Sequence, residues 1–324
     1  MSLFRSAARE ALGRIGVPEA LLRRRLRRDG NRLILLFHRV LPDEKGTDFS
    51  PPGMVVSLRV FREILDWLSG RFDLPAPEEF LAGHPAPLPR PAALITFDDG
   101  WSDTVRRAMP EMRHRGIPGI CFVSVRHVEE GRLFWPERLI AAMKSVGPGE
   151  FLRRTGERAS APGDPDSLER LLGRWKRKSE EEREKLLARI VEGGGEAHEK
   201  RRVADWSDLR QLAEGGIVIG SHGVNHRILT RVSPETAARE LAESRERITA
   251  ALGRPPDYVA YPNGDRNEAV RRLAAGAGYR FGFSLDGRME DPYDLPRVNL
   301  HDGKATDRRG RWSARRLRWA IGIA

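Results

Sequence analysis

The chain has 324 residues, 40% of them hydrophobic and 7% aromatic, which is enough for one large domain or two smaller ones and excludes global disorder. Fifty-seven Lys and Arg against 46 Asp and Glu leave a formal charge of +11. That surplus favours anionic surroundings without choosing among phosphate groups, nucleic acid and an anionic membrane face. One cysteine, Cys121, excludes an internal disulfide, and its apolar setting in GIPGICFVS reads as a buried structural thiol.

Residues 1–31 form a basic segment that mixes Leu, Phe and Ile with many Arg. It has no continuous apolar stretch of the signal-peptide kind, and no window of the chain approaches the ~18 apolar residues of a spanning helix. A cytoplasmic protein is therefore expected. The segment suits an amphipathic helix, either docked on the domain or lying on an anionic membrane surface.

From residue 33 strands and helices alternate. LILLF (33–37), AALITF (92–97) and GIPGICFVS (116–124) are short apolar runs of the kind covered on both faces in a parallel sheet. SLRVFREILDWLSG (57–70) is helical and stops at Gly70, and 102–116 is a helix that Pro110 must kink. Residues 135–205 break the rhythm with apolar and charged helical stretches around the loop SAPGDPDS, and read as a helical insertion. The alternation then resumes with IVIGS, a helix over 233–253 opened by the cap Ser233, then DYVAYP, YRFGFS and LPRVNL. The fold class is α/β. About seven strand–helix units in roughly 280 residues fit a distorted (β/α)7 barrel over 32–310, with an open doubly wound sheet as the competing arrangement. Residues 311–324 form a basic C-terminal helix.

Barrel chemistry gathers at the C-terminal ends of strands. There the apolar runs give way to His38, to Asp98-Asp99-Gly100, to His222 with His226, to the turn after AYP, and to His301. Asp99, His222 and His226 make a two-nitrogen, one-oxygen set for a divalent metal, the two histidines being one helical turn apart. A second carboxylate, Asp98, would stand within reach of a water acidified at that metal. A turn with a helix cap is the structural reading of DDG, and packing that of an isolated histidine pair. Trp101 would support the pocket wall, meet a sugar face or simply pack.

LITFDDGWSDT, IGSHGVNH and AYPNG, with FHRV before and AGYRFGFS after them, resemble the motifs of the polysaccharide deacetylase family (NodB homology, carbohydrate esterase family 4). The match is discontinuous over about 33–302. The resemblance implies a barrel enzyme that removes acetyl groups from N-acetylated sugars. It makes Asp98 the general base and Asp99, His222 and His226 the ligands of a divalent metal, Zn2+ first, with Co2+, Ni2+ or Mn2+ as alternatives. It also implies an oxyanion contact from backbone N–H near Asn263, and a late histidine, here His301, that protonates the leaving amine. Two positions depart from the pattern. Gly223 stands where Ser or Thr is usual, which puts one supporting hydrogen bond in doubt. The third motif has Tyr261 and no arginine to pair with the base, a role for which Arg297 is the candidate.

The expected partner is an N-acetylated glycan or lipid-linked sugar, with peripheral contact to an anionic membrane. No nucleic-acid partner is expected, since zinc-finger, RNP-type and basic-zipper patterns are missing. A metal amidohydrolase or deformylase on a small or lipid-linked substrate, and a silent glycan-binding barrel, are the competing readings.

Overall fold

The computed structural model describes residues 16–43, 50–157, 167–191 and 202–324. Part of the basic N-terminal segment, 1–15, and nearly all of the loop SAPGDPDS lie outside the described residues. The chain divides into two compact units, one of Met1–Asp43, Gly53–Gly131 and Val203–Ala324, the other of Glu44–Pro52 and Arg132–Arg202.

The first unit carries strands β1 (Arg32–Phe37), β2 (Arg39–Leu41), β3 (Val55–Ser57), β4 (Ala92–Phe97), β5 (Gly119–Val123), β6 (Ile217–Ser221), β7 (Tyr258–Ala260), β8 (Phe281–Phe283) and β9 (Val298–Asn299). Seven of them form one parallel sheet in the order β8-β7-β6-β5-β4-β1-β9, and β2 pairs with β3 beside it. The two edges of this sheet are joined by one stretch of chain. Leu295 bridges to Phe283 in β8, the Ser284 amide donates to the Leu295 carbonyl at 2.8 Å, and Val298 pairs with Leu35 in β1. The sheet therefore curls round on itself as a distorted (β/α)7 barrel with helices outside. The open doubly wound alternative is not what forms.

Strand side chains alternate between faces, and the alternation explains how the interior is filled. Ile34, Leu94, Ile120, Phe122, Tyr258, Ala260 and Phe283 form one buried cluster. Ile34 and Leu94 lie an even step along their strands from His38 and Asp98. The same parity that packs the barrel thus carries polar groups onto its C-terminal rim. Gly220 belongs to this packing: a Cβ there would lie 2.6 Å from the Phe122 ring, so only glycine lets that ring sit flat in the interior.

The helix Leu58–Ser69 buries Val60, Phe61, Ile64, Leu65 and Leu68 at helical spacing. Pro110 has the expected effect by an unexpected route. The turn before it, Thr104–Ala108, widens into a π-helix, and the α-helix Met109–His114 starts afresh with the proline in its first turn, where no N–H is needed. The helices Val17–Arg28 and Ala314–Ile323 pack together closely enough that a Cβ on Gly322 would meet Leu21 Cβ at 2.6 Å.

The second unit contains helices Trp135–Val146, Pro148–Thr155, Ser167–Lys176 and Glu180–Val191 around a core of its own that includes Leu139, Phe151, Leu171, Trp175 and Ile190. It runs to Arg202, against 205 in the sequence reading. Val203 already bridges to Trp101, and the Ala204 amide donates to the Gly100 carbonyl at 2.9 Å. Among the described residues no helix is long and apolar enough to cross a membrane.

Candidate active site

Strand β4 delivers both aspartates. Asp98 continues the inward parity of Leu94 and Thr96, and its amide donates to the Phe37 carbonyl at 3.0 Å. Asp99 then takes a left-handed backbone, φ 76°, which turns its side chain back toward the rim. Both carboxylates consequently approach one imidazole nitrogen: His222 Nε2 lies 3.7 Å from Asp98 Oδ2 and 3.7 Å from Asp99 Oδ1.

From there the two part. Arg297 Nη1 and Nη2 donate to Asp98 Oδ1 and Oδ2 at 2.6 and 2.8 Å, the bidentate geometry that guanidinium makes best. Burial pushes the Asp98 carboxyl up, but the charge and hydrogen bonds of Arg297 more than offset it and hold the group below the usual carboxylate range. Asp99 Oδ2 accepts from the Trp101 indole N–H at 2.9 Å. Its Oδ1 is buried with no hydrogen-bond partner, 3.3 Å from His226 Nε2. Burial raises Asp99 too, and the histidines around it prevail, so it is held far below its ordinary value.

His222 closes β6 and is buried. Its Nδ1 faces the Ala260 carbonyl at 2.8 Å, and since a carbonyl only accepts, Nδ1 carries the proton and Nε2 keeps its lone pair toward the aspartates. Burial lowers the imidazole to about 4, so it stays neutral. His226 is partly exposed, and its ring centroid is 4.9 Å from that of His222. The sequence reading put the pair on one helical turn. Residues 222–228 are in fact not helical, and the rings converge because Gly223 and His226 both take left-handed backbones, φ 78° and 56°. The missing Ser or Thr at 223 follows from that positive φ, which glycine alone adopts without strain. Ser221 Oγ accepts from the Gly223 amide at 3.1 Å.

Asp99, His222 and His226 offer one ligand atom each, all within 4.8 Å of one another. A buried carboxylate oxygen without a partner, facing two imidazole nitrogens of which one is fixed as a lone pair, suits a divalent cation of the zinc type.

The remaining candidates lie on the same rim at different depths. Arg297 is buried, with its guanidinium carbon 5.3 Å above the Phe122 ring. Tyr261 is not in its place: its hydroxyl donates to the Tyr293 carbonyl at 2.9 Å within an outer cluster. Asn263 is exposed, in the turn Pro262–Gly264 that follows the carbonyl gripping His222, and its backbone is left-handed at φ 65°. His301 is half-buried just after β9; burial and Lys304 lower its pKa, and His38 is among the charges it feels. His38 feels a different set. Burial lowers it, while Asp99 and Asp98 oppose, with Arg297 and His226 also in range. Its Nδ1 is buried without a partner. Trp101 is fully buried, so it meets no sugar; it orients Asp99 and lies under Arg39, 4.2 Å away. Cys121 is a buried thiol in β5, pushed up by burial and by the aspartates. A cavity of about 250 Å3 at the opposite rim, lined by Arg210, Val218 and Tyr258 among others, includes none of these residues.

Sequence reasoning missed Glu240, a buried carboxylate bonded to the His226 loop. Its signal was slight: a glutamate at helical spacing from Ala237, Leu241, Ser244 and Ile248 on the inward side of its helix.

A family model described as polysaccharide deacetylase matches residues 86–282, more than half of the chain. YxkH of Bacillus subtilis (strain 168), a protein carried under the same family description, is 27% identical over 99 residues, which span 29% of this chain and 36% of its own length. The chain thus matches about a third of that relative. Two solved structures share the fold. IcaB from Ammonifex degensii aligns with TM-score 0.56 at 20% identity over 90% of this chain and 97% of its own. The Streptococcus pyogenes deacetylase PplD, solved in complex with acetate, aligns with TM-score 0.55 at 15% identity over 84% and 93%. With the family model covering the first two motifs and the third, the chain belongs to the polysaccharide deacetylase family.

Proposed function

We propose that the chain is a metal-dependent hydrolase that removes the acetyl group from the nitrogen of an N-acetylated sugar. The observation that carries this reading is the pair of adjacent aspartates divided between two tasks, Asp99 facing two histidines and Asp98 clamped by Arg297 beside the same imidazole.

Asp99, His222 and His226 would hold the ion. Bound there, a divalent cation, Zn2+ first, would polarise the acyl carbonyl and acidify a water. Asp98, ionised because Arg297 holds it so, takes the proton of the attacking water. Arg297 keeps that carboxylate aimed at the rim and balances its charge before the proton arrives. Backbone N–H near Asn263 receives the developing oxyanion. A histidine then protonates the departing amine. His301, half-buried just after β9, is the candidate for that role, with His38, whose Nδ1 is buried without a partner, as the alternative.

The proposal extends to place and substrate. Exposed Arg23, Arg24, Arg27 and Arg28 on one helix, with exposed Arg316 and Ile323 on the helix packed against it, suit an anionic membrane face, where a lipid-linked sugar would be met in the cytoplasm. Flotation with anionic but not neutral vesicles supports this, and equal behaviour with both argues against it.

The deciding experiment is acetate release from N-acetylated oligosaccharides by the zinc-supplied chain, beside formylated analogues. Release by the wild type and its loss in Asp98→Asn supports the reading. Formate release alone would move the chain to a deformylase. Zinc binding with no hydrolysis of either would leave a glycan-binding barrel.

A further inference from the structure

We propose that Glu240 is a positioning residue that sets His226 in place for the metal, an inference that rests on the metal site just described. Glu240 lies on the helix Pro234–Leu252 and is 3% exposed. Its carboxylate bonds almost wholly to one short segment. Oε2 accepts from the backbone N–H groups of Val224 and Asn225, each at 2.8 Å, and Oε1 accepts from Asn225 Nδ2 at 2.6 Å. On the far side of the histidine, Arg227 Nε is 3.8 Å from Oε1. The residues flanking His226 on both sides are thus drawn to a single buried charge.

The two metal-facing histidines need different support. His222 ends a strand, its amide donates to the Val123 carbonyl at 2.8 Å, and its ring is pinned by Ala260. His226 stands four residues on, in irregular chain with a left-handed backbone, a conformation that a residue with a Cβ adopts only when its surroundings impose it. One wall is supplied by the segment after β5, where Val125 and Arg126 amides donate to the Gly223 and Val224 carbonyls at 3.1 and 3.0 Å. Glu240 supplies the other wall and takes the opposite kind of group, the N–H donors. Between them the loop's polar backbone is satisfied from both sides.

Packing gives no other reason for a charge at 240. The buried neighbours on that face of the helix are Ala237, Leu241, Ser244 and Ile248, none of which carries a charge. Burying a carboxylate is costly unless hydrogen bonds offset it, and here the offsetting bonds all lie in the loop that carries His226. Gly223 fits the same account: a Cβ there would come within 3.2 Å of Glu240 Oε2, so the glycine also leaves room for the carboxylate to approach.

The test is the zinc affinity of the metal-free full-length chain, measured by competition with a chromophoric chelator, with melting temperature recorded alongside. Glu240→Ala is expected to weaken zinc binding by roughly ten- to a hundredfold, the range seen when a group behind a ligand is removed. Glu240→Asp keeps the charge but withdraws it by one methylene, and is expected to weaken binding as well. Glu240→Gln, which keeps one oxygen for the two amides, recovers part of the loss. Ile248→Ala, on the same helix, is expected to lower the melting temperature and leave zinc affinity unchanged. Wild-type affinity in Glu240→Ala overturns the proposal, and should that variant not fold, wild-type affinity in Glu240→Asp does so. A wild type that binds no zinc overturns the metal site itself, a separate and earlier failure.

Discussion

Arg297 grips both carboxylate oxygens of Asp98, at 2.6 and 2.8 Å, from 199 residues further along the chain. The two meet because the stretch that closes the barrel, from Leu295 to Val298, passes between the edges of the sheet and leaves Arg297 pointing into the interior. The contact therefore joins the closure of the fold to the chemistry.

Arg297→Ala leaves Asp98 buried with its main counter-charge gone. Desolvation then dominates and its pKa rises. The acid limb of the pH–rate profile should move upward, and activity at neutral pH should fall by roughly a hundredfold or more, the scale of a lost general base. An uncompensated buried charge also costs about 3–5 kcal/mol of stability. Arg297→Lys, with one point charge in place of a fork, should shift the limb less. An unmoved limb in both variants would show that Asp98 is not the group that titrates.

Trp101→Phe keeps the ring and removes the N–H that donates to Asp99 Oδ2. Asp99 then loses the contact that aims its second oxygen at the histidines. Zinc affinity should fall roughly ten- to a hundredfold while the fold is retained. Chelator competition with circular dichroism on the same sample checks both halves.

Much of this was legible in the chain because parallel strands announce themselves as apolar runs and their period of two carries through to the rim. AALITF reaches its predicted bounds, and Asp98 follows on the same face as Leu94. What was not legible depends on conformation and on distant partners. Among the described residues, the non-glycine residues with positive φ are Asn31, Asp99, His226 and Asn263, and three of those are site candidates. No local pattern distinguishes an aspartate that will be forced left-handed from one that will not, since tertiary packing decides it. The pairing of Tyr261 with Tyr293, the widened turn before Pro110 and the Glu240 anchor are of the same kind. The β2–β3 pair, three residues a side, is too short to show a period.

The two candidate acids separate by leaving group. A departing sugar amine needs a proton, whereas an aryl ester's phenolate does not. The variant lacking the true acid should lose about 10²–10⁴ in amide hydrolysis and keep most of its activity on an aryl acetate. His301→Ala is expected to behave this way, with His38→Ala losing less. The reverse ranking would pass the role to His38.

Finally, the metal-free protein should lose stability as pH falls from about 7 toward 4. His222 is lowered by burial to about 4 from its ordinary 6.5. Between those values the unfolded chain holds a proton on this ring that the native chain does not, so acid favours unfolding. The stabilisation is complete above the ordinary value and declines below it. Asp98 and Asp99 act in the same direction at lower pH. Both are depressed in the folded state, so their contribution is present above about 4, the unfolded carboxylate value, and is lost as pH falls below it. Zinc binds the neutral imidazoles and the ionised carboxylate of the native site, and should raise the melting temperature by mass action, most at pH 7 and least near 5. Melting curves from pH 8 to 5 with and without zinc measure both slopes. A metal-free melting temperature that stays level across that range would contradict the neutral, buried His222 on which the ligand assignment depends.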